Sequence, residues 1–351
     1  MVRINSKKHS SVTFLKGYGH SISVKDSKII LKDCHDPFSP PKIEKWFVKH
    51  MPYDRIILQG KGYISTEGLS ILSENNKTIL LIDTQGNLIS TCHGLRDSFT
   101  ATKYRMSQYD TFRIPSKRNY LTSQIIQAKI NSQIQFLKST KRLDLTESIQ
   151  KLQKSDSTEA VTSRIYFDSF TKLIDDRFGF VKRNSIKIEK NNATDVINAL
   201  LNYGYSVLAG QISAYLSGIG LDVYYGFMHK NHTSFQSLVY DIMEPFRWLV
   251  ECAVWKMSEN KSAHRISKKQ YTHTREGNVI LEYDLIRKFL ELLERTFQKE
   301  RKYHYRHGAK TSDGLKSVQE ITIAKIMAQN LAEFCTAKRE KFKIIFNYPI
   351  D

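Results

Sequence analysis

NALLNYGYSVLAGQISAYLSGIGLDVYYGFMHKNHTSFQSLVYDIMEPFR, residues 198–247, is the most informative part of this 351-residue sequence. It joins two patterns that are typical of long helices, one over Thr194–Gly218 and the other over Thr233–Met257. In the second, apolar residues recur every three or four positions and form one stripe, at Leu238, Ile242, Phe246, Leu249, Ala253 and Met257. Two helices of this kind predict the core of an α-helical domain.

The sequence before this core has a different texture. Residues 11–90 contain short apolar stretches such as VTFL, KIIL, RIIL and TILLID, broken by Gly, Asp, Asn and Pro, which predicts strands and turns. Beyond residue 100, Gly becomes sparse and the helical periodicity takes over. We therefore predict an α+β fold. Residues 1–100 form a β-rich, sandwich-like dimerisation domain, 101–117 a linker, and 118–351 a larger all-α catalytic domain.

The charge balance indicates a polyanionic partner. Lys and Arg number 54 against 35 Asp and Glu, a net charge of +19, which a nucleic acid would neutralise. An anionic membrane is the alternative, but the charge is spread along the chain and not gathered on one amphipathic helix. With no long apolar run, no signal-peptide pattern and four widely spaced cysteines, we expect a cytoplasmic protein with reduced thiols and no membrane partner.

Two acids in SLVYDIMEPFRWLVE stand where charge is unusual. Asp241 and Glu244 are three residues apart, so both point to one face of an otherwise apolar helix. Burying them requires a metal or a basic partner. A metal site and a buried ion pair with Arg247 are equally consistent with this spacing. Pro245 predicts a bend or a local opening of the helix beside Glu244.

Three further residues are weaker candidates when taken alone. His229 and His232 lie in the loop that leads into the acid-bearing helix, and an imidazole there suits Mn²⁺ better than Ca²⁺. A structural role for either histidine is the more common outcome. Glu159 begins a helix, where an acid ordinarily stabilises the helix dipole. Spacing and composition therefore do not select a reaction.

A resemblance does select one. Residues 198–247 resemble the signature region of the CRISPR-adaptation integrase family, which includes the casposon integrases, or casposases. The matching elements follow in order: the helix NALLNYGYSVL, the G-[LI]-D-x-Y-x-G-F-x-H loop ending at His229, and the helix SLVYD-x-M-E-x-FR. Upstream, Glu159 followed by IYF matches the position of the family's first catalytic Glu. GKGYISTEGLSILSENNKTILLIDTQGNLIS, residues 60–90, resembles the family's β-domain.

The resemblance implies a site and its roles. Glu159, His229 and Glu244 would be ligands of Mg²⁺ or Mn²⁺, with Asp241 as a supporting acid and His232 in reserve, because the loop after His229 is longer than usual. The cluster RKYHYRHGAK interleaves basic and aromatic residues and suits DNA strands, although a solvated basic loop is an equal alternative. The expected nucleic-acid-binding residues are Arg183, Arg247, Arg301, Lys302, Arg306 and Lys310.

The implied activity is transesterification, in which a DNA 3′-hydroxyl attacks a phosphodiester of a target duplex. The casposon branch, which integrates the ends of its own element, is favoured over the CRISPR branch, which works with a small partner subunit. A metal-dependent DNA endonuclease and a non-enzymatic DNA-binding scaffold remain alternatives. The expected partners are double-stranded DNA with free 3′-ends, target DNA, and a second copy of the chain in a homodimer or higher assembly.

Overall fold

Short apolar segments of the N-terminal part form a sheet, as their sequence predicts. The structure is a computed structural model that describes residues 12–36, 39–83, 86, 88–92, 99–153, 159–183, 193–230, 235–304 and 315–342. Within these ranges, the N-terminal elements are β1 (Val12–Lys25), β2 (Lys28–Asp33), β3 (Lys42–Trp46), β4 (Arg55–Ile64), α1 (Thr66–Glu74), β5 (Thr78–Ile82) and β6 (Leu88–Cys92).

The six strands form one mixed sheet in the order β3-β2-β1-β4-β5-β6. The three central strands are parallel to one another, and the outer strands pair antiparallel. Because strand side chains alternate between faces, β4 divides its apolar residues between two cores. Ile57 faces the large helical core, whereas Ile56 and Leu58 face a smaller core beneath α1. The β-rich N-terminal part is thus confirmed, but its described strands form a single sheet and not the predicted sandwich, because the sheet packs against helices and not against a second sheet.

The remainder is mostly helical, which confirms the predicted α+β fold. Its described elements are α2 (Phe99–Arg113), α3 (Pro115–Ser139), α4 (Thr146–Gln153), α5 (Glu159–Thr171), α6 (Val196–Ile219), α7 (Ser237–Met243), α8 (Arg247–Ser258), β7 (Tyr271–His273), β8 (Val279–Leu281), α9 (Tyr283–Phe297), β9 (Glu300–His304), β10 (Leu315–Gln319) and α10 (Glu320–Cys335). No helix in these described ranges is both long and apolar enough to cross a membrane.

The predicted linker over residues 101–117 is not a linker in the structure. These residues lie in α2 and the start of α3, and Gln108, Thr111 and Phe112 are buried. The side of α2 that packs inward is largely polar and aromatic, so it lacks the aliphatic stripe by which a helix of the core is recognised from sequence. The prediction is therefore corrected: α2 belongs to the helical packing.

The two predicted central helices are present. In α6 the Asp195 side chain accepts a hydrogen bond from the Asn198 backbone N–H, and the helix ends at Gly220, whose φ of 100° suits glycine. The second pattern is interrupted, because residues 244–246 form one 3₁₀ turn between α7 and α8. Pro245 lacks a backbone N–H, so the opening that its position predicts beside Glu244 is confirmed.

The sheet and the helices share one hydrophobic core. Val12, Phe14, Ile57, Leu80 and Ile82 of the sheet belong to the same buried cluster as α6, α8 and α9. A buried ion pair between Arg55 of β4 and Glu294 of α9 crosses the same boundary. Because the contact is apolar and continuous, the sheet supports α6 and, through it, the elements that carry the acid pair.

Candidate active site

Asp241 is the centre of a hydrogen-bonded loop and is fully buried. Its Oδ2 accepts the backbone N–H groups of Phe227 at 2.7 Å and Met228 at 3.1 Å. Its Oδ1 accepts the backbone N–H of His229 at 2.9 Å. These N–H donors satisfy the hydrogen-bonding capacity of a carboxylate that is buried in an apolar surrounding. Asp241 therefore determines the path of the loop that leads to His229.

The same carboxylate orients the His229 ring. The Nδ1 atom of His229 lies 2.6 Å from Asp241 Oδ1, so Nδ1–H is the donor, and in the neutral ring Nε2 then carries the lone pair that can bind a ligand. Burial acts to lower the pKa of His229, but the hydrogen bond to Asp241 and the charges of Asp241, Glu244 and Glu159 outweigh it and raise the pKa. Asp241 thus orients the His229 ring, and its supporting role in a reaction stays a prediction.

Glu244 lies in the 3₁₀ turn between α7 and α8 and is buried, with 4% of its side chain exposed. Its Oε1 pairs with Arg247 at 3.1 Å, and its Oε2 pairs with Lys129 of α3 at 2.7 Å. Burial acts to raise the pKa of Glu244, but the charges of Arg247 and Lys129 outweigh it and hold the pKa at about 2. The carboxylate is therefore ionised at neutral pH. The ion pair with Arg247 that the sequence suggested is present.

Lys129 also joins Glu159 to the site. Its Nζ lies 2.8 Å from Glu159 Oε1, so one ammonium group bridges the first residue of α5 and the turn after α7. Lys129 was not predicted from the sequence. It occupies the buried face of α3 between Ile125 and Phe136, and a lysine on that face is the signal that could have identified it.

A third buried acid, Glu251 of α8, was not predicted, although it lies within an apolar segment. It accepts hydrogen bonds from the hydroxyls of Tyr166 and of Tyr205, the latter at 2.7 Å. Burial raises the pKa of Glu251, and the two hydroxyls and nearby Arg247 oppose the rise. The guanidinium of Arg247 lies 4.2 Å from the centre of the Tyr205 ring, which connects Glu251 to Glu244.

The predicted DNA-binding arginines have different surroundings. Arg183 donates to Asn198 at 2.7 Å and Asn202 at 2.6 Å, beside the same tyrosine ring as Arg247. Arg301 is buried and pairs with Glu320 at 2.7 Å. Its guanidinium cannot reach a phosphate from there, so that prediction is corrected. His232, Arg306, Lys310 and the side chain of Lys302 lie outside what the structure describes.

Gln108 of α2 fastens the loop that precedes His229. Its amide nitrogen donates to the carbonyls of Asp222 at 2.9 Å and Tyr225 at 2.8 Å, and its amide oxygen accepts the Asp222 N–H at 2.8 Å. Gln108→Leu should leave three backbone groups without this partner. We expect the free energy of unfolding to fall by about 2 kcal/mol, measured by urea denaturation. Gln127→Leu, on the exposed side of α3, is the control, and equal losses in both variants would contradict the assignment.

Gly226 allows the loop to approach Asp241 closely. A Cβ atom there would lie 2.5 Å from Asp241 Oδ2 and 2.9 Å from the Ser237 carbonyl carbon. Gly226→Ala should therefore push the loop away from α7 and lower the free energy of unfolding by about 1–3 kcal/mol. Thermal denaturation measures the effect. Gly179→Ala, where φ is +63° but a Cβ meets nothing within 4 Å, gives the cost of backbone strain without crowding for comparison. An unchanged Gly226 variant would refute the packing argument.

The donor set is suited to a hard divalent cation. Glu159 and Glu244 both contact one positively charged nitrogen, and the nearby imidazole has its Nδ1 held by Asp241. Carboxylate oxygens with one imidazole nitrogen suit Mg²⁺ or Mn²⁺. Within the described residues no three His, Cys, Asp or Glu side chains converge closely enough to hold a metal as they stand. The two carboxylates nevertheless lie on either side of one cationic group, the Lys129 ammonium.

Comparisons with known proteins agree with one another. The family model for CRISPR associated protein Cas1 matches residues 13–295. CRISPR-associated protein Cas1 3 from Methanobrevibacter ruminantium is 28% identical over 274 residues, covering 70% of this chain and 78% of the relative. CRISPR-associated endonuclease Cas1 2 from Saccharolobus solfataricus is 29% identical over 235 residues, covering 66% and 69%.

Solved structures resemble the fold over nearly the whole chain. A casposase bound to its integration product has a TM-score of 0.81 and 25% identity, with 95% of this chain and 92% of that chain covered. A Cas1 protein from Thermotoga maritima has a TM-score of 0.71 and 17% identity, covering 95% of this chain and all of that one. The latter similarity shows a shared fold.

Proposed function

Because this chain belongs to the family of CRISPR-associated Cas1 proteins, we propose that it is a metal-dependent DNA integrase. In the proposed reaction a DNA 3′-hydroxyl oxygen bonds to a phosphorus of the target duplex, and the bond from that phosphorus to the target's own 3′-oxygen breaks. The hydroxyl loses its proton and the displaced oxygen gains one, so the number of phosphodiesters is unchanged. The observation that carries the proposal is that Glu159 and Glu244 both pair with the ammonium group of Lys129, close to His229.

Each site residue has a part in this proposal. Glu159, Glu244 and the Nε2 atom of His229 would hold Mg²⁺ or Mn²⁺. A bound divalent ion supplies positive charge at the phosphate and favours ionisation of the attacking hydroxyl. Asp241 keeps the imidazole oriented, and Arg247 holds Glu244 through its Oε1. The basic surface of a chain with net charge +19 binds the DNA backbone without reading its sequence.

We favour integration of the casposon type. The casposase similarity supports it, since it extends over 95% of this chain at a TM-score of 0.81. The curated relatives are named as CRISPR-associated proteins, which supports the alternative of spacer integration with a partner subunit. The two activities differ in whether a partner subunit is required. An integrase of the casposon type should join DNA ends without another protein.

Two copies acting together fit this reaction, because two DNA ends need two sites. The edge strands of the described sheet are β3 and β6. Ile43 of β3 is 52% exposed, and Ile89 of β6 is 62% exposed. Apolar side chains on unpaired edges favour contact with another chain. We propose a homodimer formed through the β-rich domain, and light scattering of Ile43→Lys and Ile89→Lys tests it by whether either variant is monomeric.

The experiment that tests the integrase proposal is a strand-transfer assay. A short duplex, labelled on the strand with the free 3′-hydroxyl, is mixed with supercoiled plasmid and Mn²⁺ or Mg²⁺. We expect the wild-type chain alone to transfer label to the plasmid, and His229→Ala to transfer none. A duplex that ends in a 3′-deoxy nucleotide lacks the nucleophile and is the matched substrate control.

Other outcomes select the alternatives. Nicked plasmid without joined label indicates an endonuclease that uses water in place of the hydroxyl. Joining that requires an added partner subunit indicates the CRISPR branch. DNA binding with no reaction in either metal indicates a scaffold, and in that case the integrase proposal is wrong.

A further inference from the structure

The ammonium group of Lys129 has the position that a metal ligated by Glu159 and Glu244 would need. It lies 2.8 Å from Glu159 Oε1 and 2.7 Å from Glu244 Oε2. Oxygen ligands of Mg²⁺ lie at about 2.0–2.1 Å, so each carboxylate would have to move inward by only about 0.7 Å if the ammonium left. The same two oxygens therefore serve either cation, but they cannot serve both at once.

The two basic partners of Glu244 are not equivalent. Arg247 is three residues away on the following helix, and its guanidinium also packs on the Tyr205 ring. Lys129 comes from a different helix, α3, and carries a compact charge on a four-carbon chain. Each holds its own oxygen of Glu244, Arg247 the Oε1 and Lys129 the Oε2. Lys129 can thus withdraw while Arg247 keeps the carboxylate in place.

Charge balance favours the exchange. Glu159 and Glu244 share the single positive charge of Lys129, which is 10% exposed, as against 38% for Glu159 and 4% for Glu244. Removing the ammonium would leave Glu244 with Arg247 as its basic partner and would set the two carboxylates near each other without the cation between them, which is unfavourable. A divalent cation in place of the ammonium would supply two positive charges where Lys129 supplies one. The additional positive charge would attract an incoming phosphate.

We propose that Lys129 is a built-in counter-ion of the metal site, which holds Glu159 and Glu244 close together before metal binds and which a divalent cation must displace. This inference rests on the proposed function, because it takes the same two carboxylates as metal ligands. It assigns Lys129 a positioning role that lowers metal affinity and stabilises the metal-free protein.

The test is Mn²⁺ binding to the full chain without DNA, followed by the electron paramagnetic resonance signal of free Mn²⁺. Lys129→Met removes the charge and keeps the length of the side chain. We expect it to bind Mn²⁺ more tightly than wild type, by about tenfold or more. We also expect it to melt at a lower temperature than wild type in chelator and to gain more from added Mn²⁺. Lys129→Arg, which keeps the charge, should bind Mn²⁺ no more tightly than wild type.

Glu244→Gln distinguishes failure of this inference from failure of the metal site. If wild type binds Mn²⁺, Glu244→Gln does not, and Lys129→Met has the wild-type affinity and melting shift, the metal site stands and the role of Lys129 is wrong. Weaker binding by Lys129→Met also overturns it. If no Mn²⁺ binding depends on Glu244, both the metal site and this inference fail. Should Lys129→Met be unfolded in chelator, recovery of its fold by Mn²⁺ alone supports the inference, and no recovery contradicts it.

Discussion

Glu244→Gln should reduce strand transfer by about 10³-fold or more while DNA binding is retained. Glutamine keeps the volume of the side chain but removes the negative charge that a divalent cation would bind, and such a loss is worth several kcal/mol at the reacting phosphate. DNA binding depends on the +19 net charge of the chain, which one substitution hardly changes. Plasmid joining and a gel-shift titration, run on the same preparation, measure the two effects separately.

This substitution also disturbs a buried ion cluster, so stability needs a control. Lys129 and Arg247 would each lose a charged partner, and breaking a buried pair costs about 3–5 kcal/mol. The double variant Lys129→Met/Glu244→Gln removes one charge of each sign and should recover part of the stability without recovering activity. Glu147→Gln removes an exposed acid that pairs with Lys151 and should retain activity. A folded Glu244→Gln protein with transfer within tenfold of wild type would remove Glu244 from the chemistry.

Asp241→Asn should have a large effect on stability. The side chain keeps its shape, but an NH₂ group replaces an oxygen that accepts hydrogen bonds from the loop or from the His229 ring. At this fully buried position the NH₂ group of asparagine would face N–H groups that need an acceptor. We therefore expect a loss of about 3–5 kcal/mol in the free energy of unfolding. Urea denaturation measures it. Strand transfer should fall by about 10–100-fold, because the imidazole loses its anchor.

The comparison variant is Asp168→Asn, an exposed acid on α5, which should change neither stability nor activity. Strand transfer by Asp241→Asn is compared with wild type at a temperature where both are folded. A positioning role predicts weakened Mn²⁺ binding together with reduced transfer. Unchanged Mn²⁺ affinity in a folded Asp241→Asn protein would show that the carboxylate only holds the loop.

Much of the fold could be predicted because it depends on local patterns. Strands and helices follow the spacing of apolar residues, so the change near residue 100 separates the β-rich part from the helical part. The prediction failed for α2, because that helix turns polar groups such as Gln108 toward the loop it supports. Arg301 was misassigned for a related reason: a basic cluster suggests an exposed surface, whereas burial of its first member depends on Glu320.

For the candidate site, the sequence by itself determined the parts that are close along the chain. The spacing of Asp241 and Glu244, the opening at Pro245 and the loop that ends at His229 all follow from neighbouring residues. Only the tertiary structure decided that Lys129 stands between Glu159 and Glu244, and that Gln108 holds the loop before His229. These partners are separated by 30 to 117 residues. Periodicity shows which face of a helix is buried, but the packing of helices in space selects which buried charges meet.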